Sequence, residues 1–406
     1  MLAKMTGWFG KCSLFVVSVG VIISLSGCGD TAQEEIHIAE TGIEVETDAA
    51  NIQEDSDRVA ELCLEFYESA EIENKISDLE TIRSIVQLLE EHGYPAVDSK
   101  NQIDMANAER VIKFCEKVEA QEKDAITVIV VDDMGGILVY DFQTDAGNVD
   151  VTRKYYKYEN GSMKREELVS YKAEGWKYTE DGYLMFSGIW FAEELYAMTL
   201  SSAEEHVALR VEPLDERYRE LNRNYLLPIG YERNNMFLVD WNESDFGELN
   251  FYDLYDILCP GIKAEYVTEE DEAILWIPKD DFESVIMEHF NIDSETLQVK
   301  AVYRSENSIY EYRARGLYET EYPEYPYSEV VGFAENGDGT MVLKVNVVFP
   351  YAGDSNVYEH EVTIRLLDDG NVQYVSNRIV SPKEVRGTWH TDRFTKEKWE
   401  EMYREK

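Results

Sequence analysis

The hydrophobic period of this chain changes at residue 124, and that change sets its fold class. Between 51 and 122 apolar residues recur three and four apart. Val59, Leu62, Cys63, Phe66 and Tyr67 form one such stripe and Ile82, Ile85, Val86 and Leu89 a second, and a third helix is predicted from Met105 to Gln121. Ser77 or Asp78 is placed to cap the second helix, and Gly93 with Pro95 to end it. After 124 the spacing becomes that of strands. Ile126–Val131 is an unbroken, largely β-branched run, Asp132–Gly136 reads as a turn, and Ile137–Asp141 as the returning strand. Asn160-Gly161 is a hairpin signal, because both positions tolerate positive φ. Glu174-Gly175 and Asp181-Gly182 are expected to separate further strands.

Beyond 190 the two periods mix. A helix is predicted over Ala192–Leu200. Another spans Asp280–Asn291, with Asp280 and Glu283 spaced as a capping box and Phe282, Val285, Ile286 and Phe290 on one face. Strands are predicted at Gln298–Tyr303, Ile309–Arg313, Met341–Phe349, Tyr358–Leu366 and Asn371–Ile379, and a surface helix at Thr395–Lys406. Tyr322–Tyr327 holds Pro323 and Pro326 and reads as a stiff, non-helical connection. The predicted class is α+β. An N-terminal helical unit (51–123) precedes an antiparallel β-meander (124–205) and a second α+β domain (206–406). Whether the two β-containing regions share one sheet is open at this point.

The N-terminus carries an address. Lys4 and Lys11 precede or flank the apolar run Leu14–Leu25. That run suits a secretory signal and is short for a bilayer span, which takes about 20 apolar residues. Leu25-Ser26-Gly27-Cys28 closes it. This pattern resembles the lipobox of bacterial lipoproteins. The resemblance implies cleavage of residues 1–27, a diacylglyceryl thioether on Cys28, and further acylation of the palmitate type. More than one acyl chain gives stable anchoring where a single chain does not. The expected localisation is the extracytoplasmic face of the cell membrane. Residues 28–50 are expected to be an acidic, disordered tether reaching roughly 25–30 Å. Two other readings stay open: an ordinary signal peptide with a chance cysteine at its boundary, and an uncleaved helix from near Trp8.

Charge narrows the partners. Eighty-two acidic against 38 basic residues give a formal charge of −44. Such a field repels phosphate backbones, so nucleic acid is not an expected partner. It also disfavours adsorption to anionic lipid, which leaves membrane attachment to the anchor. Of the five cysteines, Cys12 lies in the signal and Cys28 carries lipid, leaving Cys63, Cys115 and Cys259. An odd number argues against a disulfide framework. Cys63 and Cys115 sit on apolar helix faces as small hydrophobes, and a Cys63–Cys115 bridge between two helices stays open in an oxidising compartment.

No local motif announces chemistry. The six histidines include no pair at ligand spacing, and the chain has no H-E-x-x-H, C-x-x-C, G-x-S-x-G or phosphate loop. No residue is assigned a catalytic, cofactor-binding or metal-binding role. The richest segment is Arg217–Asp256. Arg217, Arg219, Arg223 and Arg233 form a local basic cluster, and Tyr231, Trp241 and Tyr252 stand in sequence near Asp240, Glu243, Asp245 and Glu248. Aromatic rings beside carboxylates suit sugar recognition, and two carboxylates at the right separation hydrolyse glycosides. Tyr231, Trp241, Asp245 and Tyr252 are therefore the candidate ligand-binding residues. The competing reading is a loop-rich segment whose arginines pair with surplus acids and whose aromatics fill the core.

Several stretches carry a resemblance. Asn222–Tyr231 through Phe251–Leu254, Asn336–Thr340 with Val345–Pro350, and His360–Arg365 with Gln373–Asn377 resemble a family of uncharacterised lipoproteins from clostridial-type Gram-positive anaerobes. The likeness runs from about residue 120 to 385. It supports the address and implies no activity and no site residues. The expected function is a non-enzymatic surface binding or assembly protein with a protein or glycan partner. The alternative is a glycan or cell-wall hydrolase using paired carboxylates within 240–256.

Overall fold

Two helices come first among the described residues, α1 (Ile43–Glu73) and α2 (Leu79–Glu91). The computed structural model describes residues 43–259, 274–321, 324–368, 370–381 and 389–404. Cys28, the signal and the first part of the tether lie outside the described residues, as do Tyr322 and Pro323. The chain divides into two units, Met1–Ala50 and Asn51–Lys406. Of the first, Ile43–Ala50 is described and is helical, within the span expected to be tether.

After α2 come β1 (Ala96–Asp98), α3 (Ala108–Glu119), β2 (Asp124–Asp132), β3 (Gly136–Asp145), β4 (Asn148–Tyr158), β5 (Met163–Tyr178), β6 (Tyr183–Trp190), α4 (Glu193–Thr199) and β7 (Ala203–Arg210). The strands form one seven-stranded sheet in sequence order. β1 runs parallel to β2 and the other pairs are antiparallel. β7 continues past the boundary placed at 205, and β1, inside the helical segment, joins the same sheet.

Helices on both faces explain the unbroken run in β2. Val128 and Val130 pack with Val111, Phe114 and Cys115 of α3, while Ile129 and Val131 pack with Val59, Cys63 and Tyr67 of α1 and Ile85 of α2. The cysteines are free and lie in cores on opposite faces of the sheet, so the Cys63–Cys115 bridge is not formed. Asn160 and Gly161 both take positive φ in the β4–β5 turn. Glu174-Gly175 does not end a strand. It lies inside β5, whose register shifts between Ala173 and Gly175, so that one long strand pairs with β4 along its first half and β6 along its second. The bulge bends β5 and turns the sheet around α3. Gly188 is required on β6, because a Cβ there would stand 2.1 Å from the Tyr171 ring.

The rest of the chain supplies α5 (Glu216–Tyr225), β8 (Trp241–Asn242), α6 (Phe251–Leu258), β9 (Ile274–Pro278), α7 (Lys279–His289), α8 (Ser294–Lys300), β10 (Tyr303–Arg304), β11 (Ile309–Arg313), β12 (Tyr327–Glu335), β13 (Thr340–Val348), β14 (Glu359–Leu366), β15 (Val372–Ser381) and α9 (Lys396–Arg404). The order β12-β13-β14-β15-β8 makes a five-stranded antiparallel sheet, and β10-β11-β9 a three-stranded one. The two β-containing regions therefore form separate sheets, and the class is α+β. Phe237, Phe251, Phe282, Phe290, Tyr310, Leu343 and Val362 belong to one continuous core beneath them.

Three local expectations are corrected. Gln298–Lys300 is helical, because Asp293 accepts from Thr296 N at 2.7 Å and starts α8 instead of a strand. Asp280 forms no cap, because Pro278 holds the N-cap position of α7. Its intended partner Glu283 is buried and accepts from Tyr310 Oη at 2.7 Å and Ser294 Oγ at 2.9 Å. The loop-rich stretch 217–256 contains α5 and α6, capped by Asp215 and Asn250.

A polar seam joins the first sheet to the second. Glu329 on β12 accepts from Tyr183 Oη and from Arg210 NH1, both at 2.6 Å. Asn101, bound to β7 through Ala208 O at 3.0 Å and Arg210 N at 2.7 Å, donates across to Tyr327 Oη of β12 at 3.1 Å.

Candidate functional site

The structure separates the four candidate residues. Tyr231 is 2% exposed and its hydroxyl lies 2.8 Å from His360 Nε2. Asn377 donates from Nδ2 to Val239 O at 2.8 Å, so its Oδ1 accepts from His360 Nδ1 at 2.6 Å. That leaves Nε2 as acceptor for the Tyr231 hydroxyl. Burial pushes the imidazole down to about 4, and the Asn377 bond offsets only part of this. Trp241 is also core, stacked on Phe246 and donating to Met236 O at 2.8 Å. Asp245 is exposed and accepts from Gly247 N at 3.0 Å to hold its own turn. Tyr252 alone reaches a cleft.

Asp240, Glu243, Asp253 and Asp256 are engaged, while Glu248 is exposed. Asp240 accepts from Ile379 N at 2.7 Å. Glu243 receives both terminal nitrogens of Arg365, at 2.6 and 2.9 Å. Asp253 and Asp256 share Arg393, whose Nε donates to Asp253 at 2.7 Å while NH2 donates to Asp256. Arg315 holds Asp253 from the other side at 2.9 Å. A guanidinium thus stands where a glycosidase needs its substrate. Burial raises the Asp256 carboxyl, against the pull of Arg393 and the Tyr312 hydroxyl. The basic cluster pairs with surplus acids: Arg217 with Glu220 at 3.1 Å, Arg219 with Asp104 at 2.7 Å, Arg223 with Glu216 at 2.7 Å. Arg233 meets Glu232 at 3.8 Å.

The cleft measures about 520 Å³, within the range of small-molecule sites. One wall is the 247–252 loop and the start of α6. Its floor is β11, where Tyr310 and Tyr312 pack inward and Glu311 and Arg313 turn toward α9. The other wall is the C-terminal segment, with Arg393, Phe394, Lys396 and Trp399. The Tyr252 hydroxyl accepts from Val302 N and donates to Glu311 O, both at 2.9 Å, and so ties the first wall to the floor.

Backbone and side-chain bonds hold the C-terminal wall in place. Glu319 accepts from Phe394 N at 2.7 Å and Glu321 from Thr391 N at 3.2 Å. Burial works to raise the Glu321 carboxyl, but the bonds from His390, Thr391 and Arg233 outweigh it and keep it low. Arg313 lies 5.4 Å under the Trp399 ring, and the Arg393 guanidinium sits 5.1 Å from the Tyr312 ring. Glu311, 2% exposed, gathers Arg304 at 2.5 Å, Arg313, and Lys396 at 3.6 Å. Sequence reasoning missed all of these except Tyr252. They are spread over some 150 residues, and no local spacing marks them as neighbours. Among the described residues there is no group of three or more His, Cys, Asp or Glu arranged to hold a metal ion, and no helix long and apolar enough to cross a membrane.

A model described as a family of unknown function, DUF6070, matches residues 49–393. The chain belongs to this family. No curated protein and no solved structure matches it. The DUF6070 match takes in all three sheets and ends at Arg393, the residue that joins the C-terminal wall to Asp253. It assigns no activity.

Proposed function

We propose that this DUF6070 protein is anchored through lipid on Cys28 to the extracytoplasmic face of the membrane and binds a partner there without transforming it. The observation that carries the binding reading is the engagement of Asp240, Glu243, Asp253 and Asp256. Asp253 and Asp256 are locked to Arg393, and Glu243 to Arg365. A general acid or nucleophile must be free to exchange a proton or form a bond, and a carboxylate clamped by arginine is neither. The aromatic and charged walls of the cleft suit retention of a ligand. The address rests on the Leu25–Cys28 pattern and on a polyanionic body that needs an anchor to stay at a membrane.

Two measurements test this. A clickable fatty acid fed to cells should label the wild type and not the Cys28→Ala form; label on the variant overturns the anchor. Purified protein incubated with cell-wall glycan should release no new reducing ends. Steady release that disappears in Asp253→Asn or Asp256→Asn would establish the hydrolase instead.

A further inference from the structure

We propose that the cleft between the 247–252 loop and the C-terminal segment binds a small organic oxyanion, a carboxylate or phosphate on an apolar body, with Lys396 as the principal charged contact. The inference rests on the reading of the cleft as a binding surface and names its ligand class. It starts from a count of donors. The Lys396 ammonium carries three N–H groups. It makes no hydrogen bond among the described residues, and its nearest ion pair is Glu311 at 3.6 Å. Glu311 is already taken: Arg304 donates to it from Nε at 3.0 Å and from NH2 at 2.5 Å, and Arg313 holds its other oxygen. Three cations therefore converge on Glu311, with Glu400 a second, more distant partner of Arg313 at 3.5 Å.

Burial, then the guanidiniums of Arg304 and Arg313, hold the Lys396 pKa below its ordinary value against the pull of Glu400 and Glu397. An incoming anion relieves that crowding, and a neutral ligand does not. The other buried acid of the cleft is also spent, since Glu319 accepts from Gly316 N at 3.0 Å and Phe394 N at 2.7 Å. Glu248 and Glu397 oppose an anion, but both are exposed at the rim, where water and salt screen them. Lys300 also lines the cleft and gives one donor to Gly247 O at 2.7 Å. Tyr252 and Trp399 also line the cleft and match the apolar part of such a ligand.

The test is calorimetric titration of the full chain in detergent with phenylacetate, phenyl phosphate and neutral phenylacetamide. Either anion should bind and the amide should not; the stronger of the two tells carboxylate from phosphate. Lys396→Met, checked for unchanged circular dichroism, should weaken the anion by about tenfold or more. Failure of both anions, equal binding of the amide, or undiminished binding by a folded Lys396→Met protein overturns the proposal. None of those results touches the lipid anchor. Conversely, release of reducing ends from glycan would end the non-enzymatic reading while leaving this titration as it stands.

Discussion

Arg393 and Asp253 are 140 residues apart in the chain and 2.7 Å apart in space, with side chains 5% and 2% exposed. Through this contact the C-terminal segment is fastened to α6. The same guanidinium donates to Arg313 O at 2.6 Å and to Asp256. Arg393 therefore ties the far wall of the cleft to its floor. Burial alone would make its charge costly, but Asp253 and Asp256 more than offset this and hold its pKa above the ordinary value.

Removing Arg393 should be severe. Arg393→Met leaves the buried Asp253 with Arg315 alone and takes from Asp256 its only cation among the described residues, leaving it the Tyr312 hydroxyl. Breaking a buried pair from one side costs about 3–5 kcal/mol. Urea unfolding should report a loss of that size, and Asp253→Asn in the same background should recover part of it. A loss under about 1 kcal/mol would mean that water already shields the contact.

His360 should make the protein acid-sensitive in a defined window. Its folded pKa lies near 4, below the ordinary 6.5. Between those values the unfolded chain takes up a proton that the folded chain refuses. The stability is thus fully present above the unfolded value and is lost as pH falls toward the folded one, by about 3 kcal/mol. Asp256 and Glu329 have raised carboxyls and act with the opposite sign. The informative quantity is the difference between wild type and His360→Gln in urea, followed from pH 7 downward. It should shrink through the window in favour of the variant. A difference independent of pH would show that the imidazole titrates in the fold as it does in the unfolded chain.

Much of the fold was readable because its physics is local. The β2–β3 pair, the Asn160-Gly161 turn and the run from β13 to β15 each carry their own alternation or turn residues, and all appear near their predicted places. The failures have tertiary causes. Glu283 is spaced for a capping box, yet Tyr310 and Ser294 claim it. β1 has three residues and β8 two, too few to show a period. Aromatic character alone did not separate Tyr231 and Trp241, which are core, from Tyr252, which reaches the cleft. Glu311, Lys396 and Trp399 had no signature, because their meeting depends on how β11 and α9 pack.

The cysteines allow a last prediction, on the two faces of the first sheet. Cys63 belongs to the core under α1 and α2, and Cys115 to the core around α3. The sheet between them keeps their sulfurs beyond the reach of a disulfide. Burial pushes both thiols up to about 12, so neither presents thiolate at neutral pH. Cys259 is only half-buried. Iodoacetamide applied to the native protein should modify Cys259 and spare Cys63 and Cys115, and all three should react in concentrated urea. Peptide mass spectrometry of the unreduced protein reads both points at once. A linked Cys63–Cys115 peptide would require α1 and α3 to meet on one face, and so would overturn the two-faced arrangement of helices on which the buried β2 strand depends.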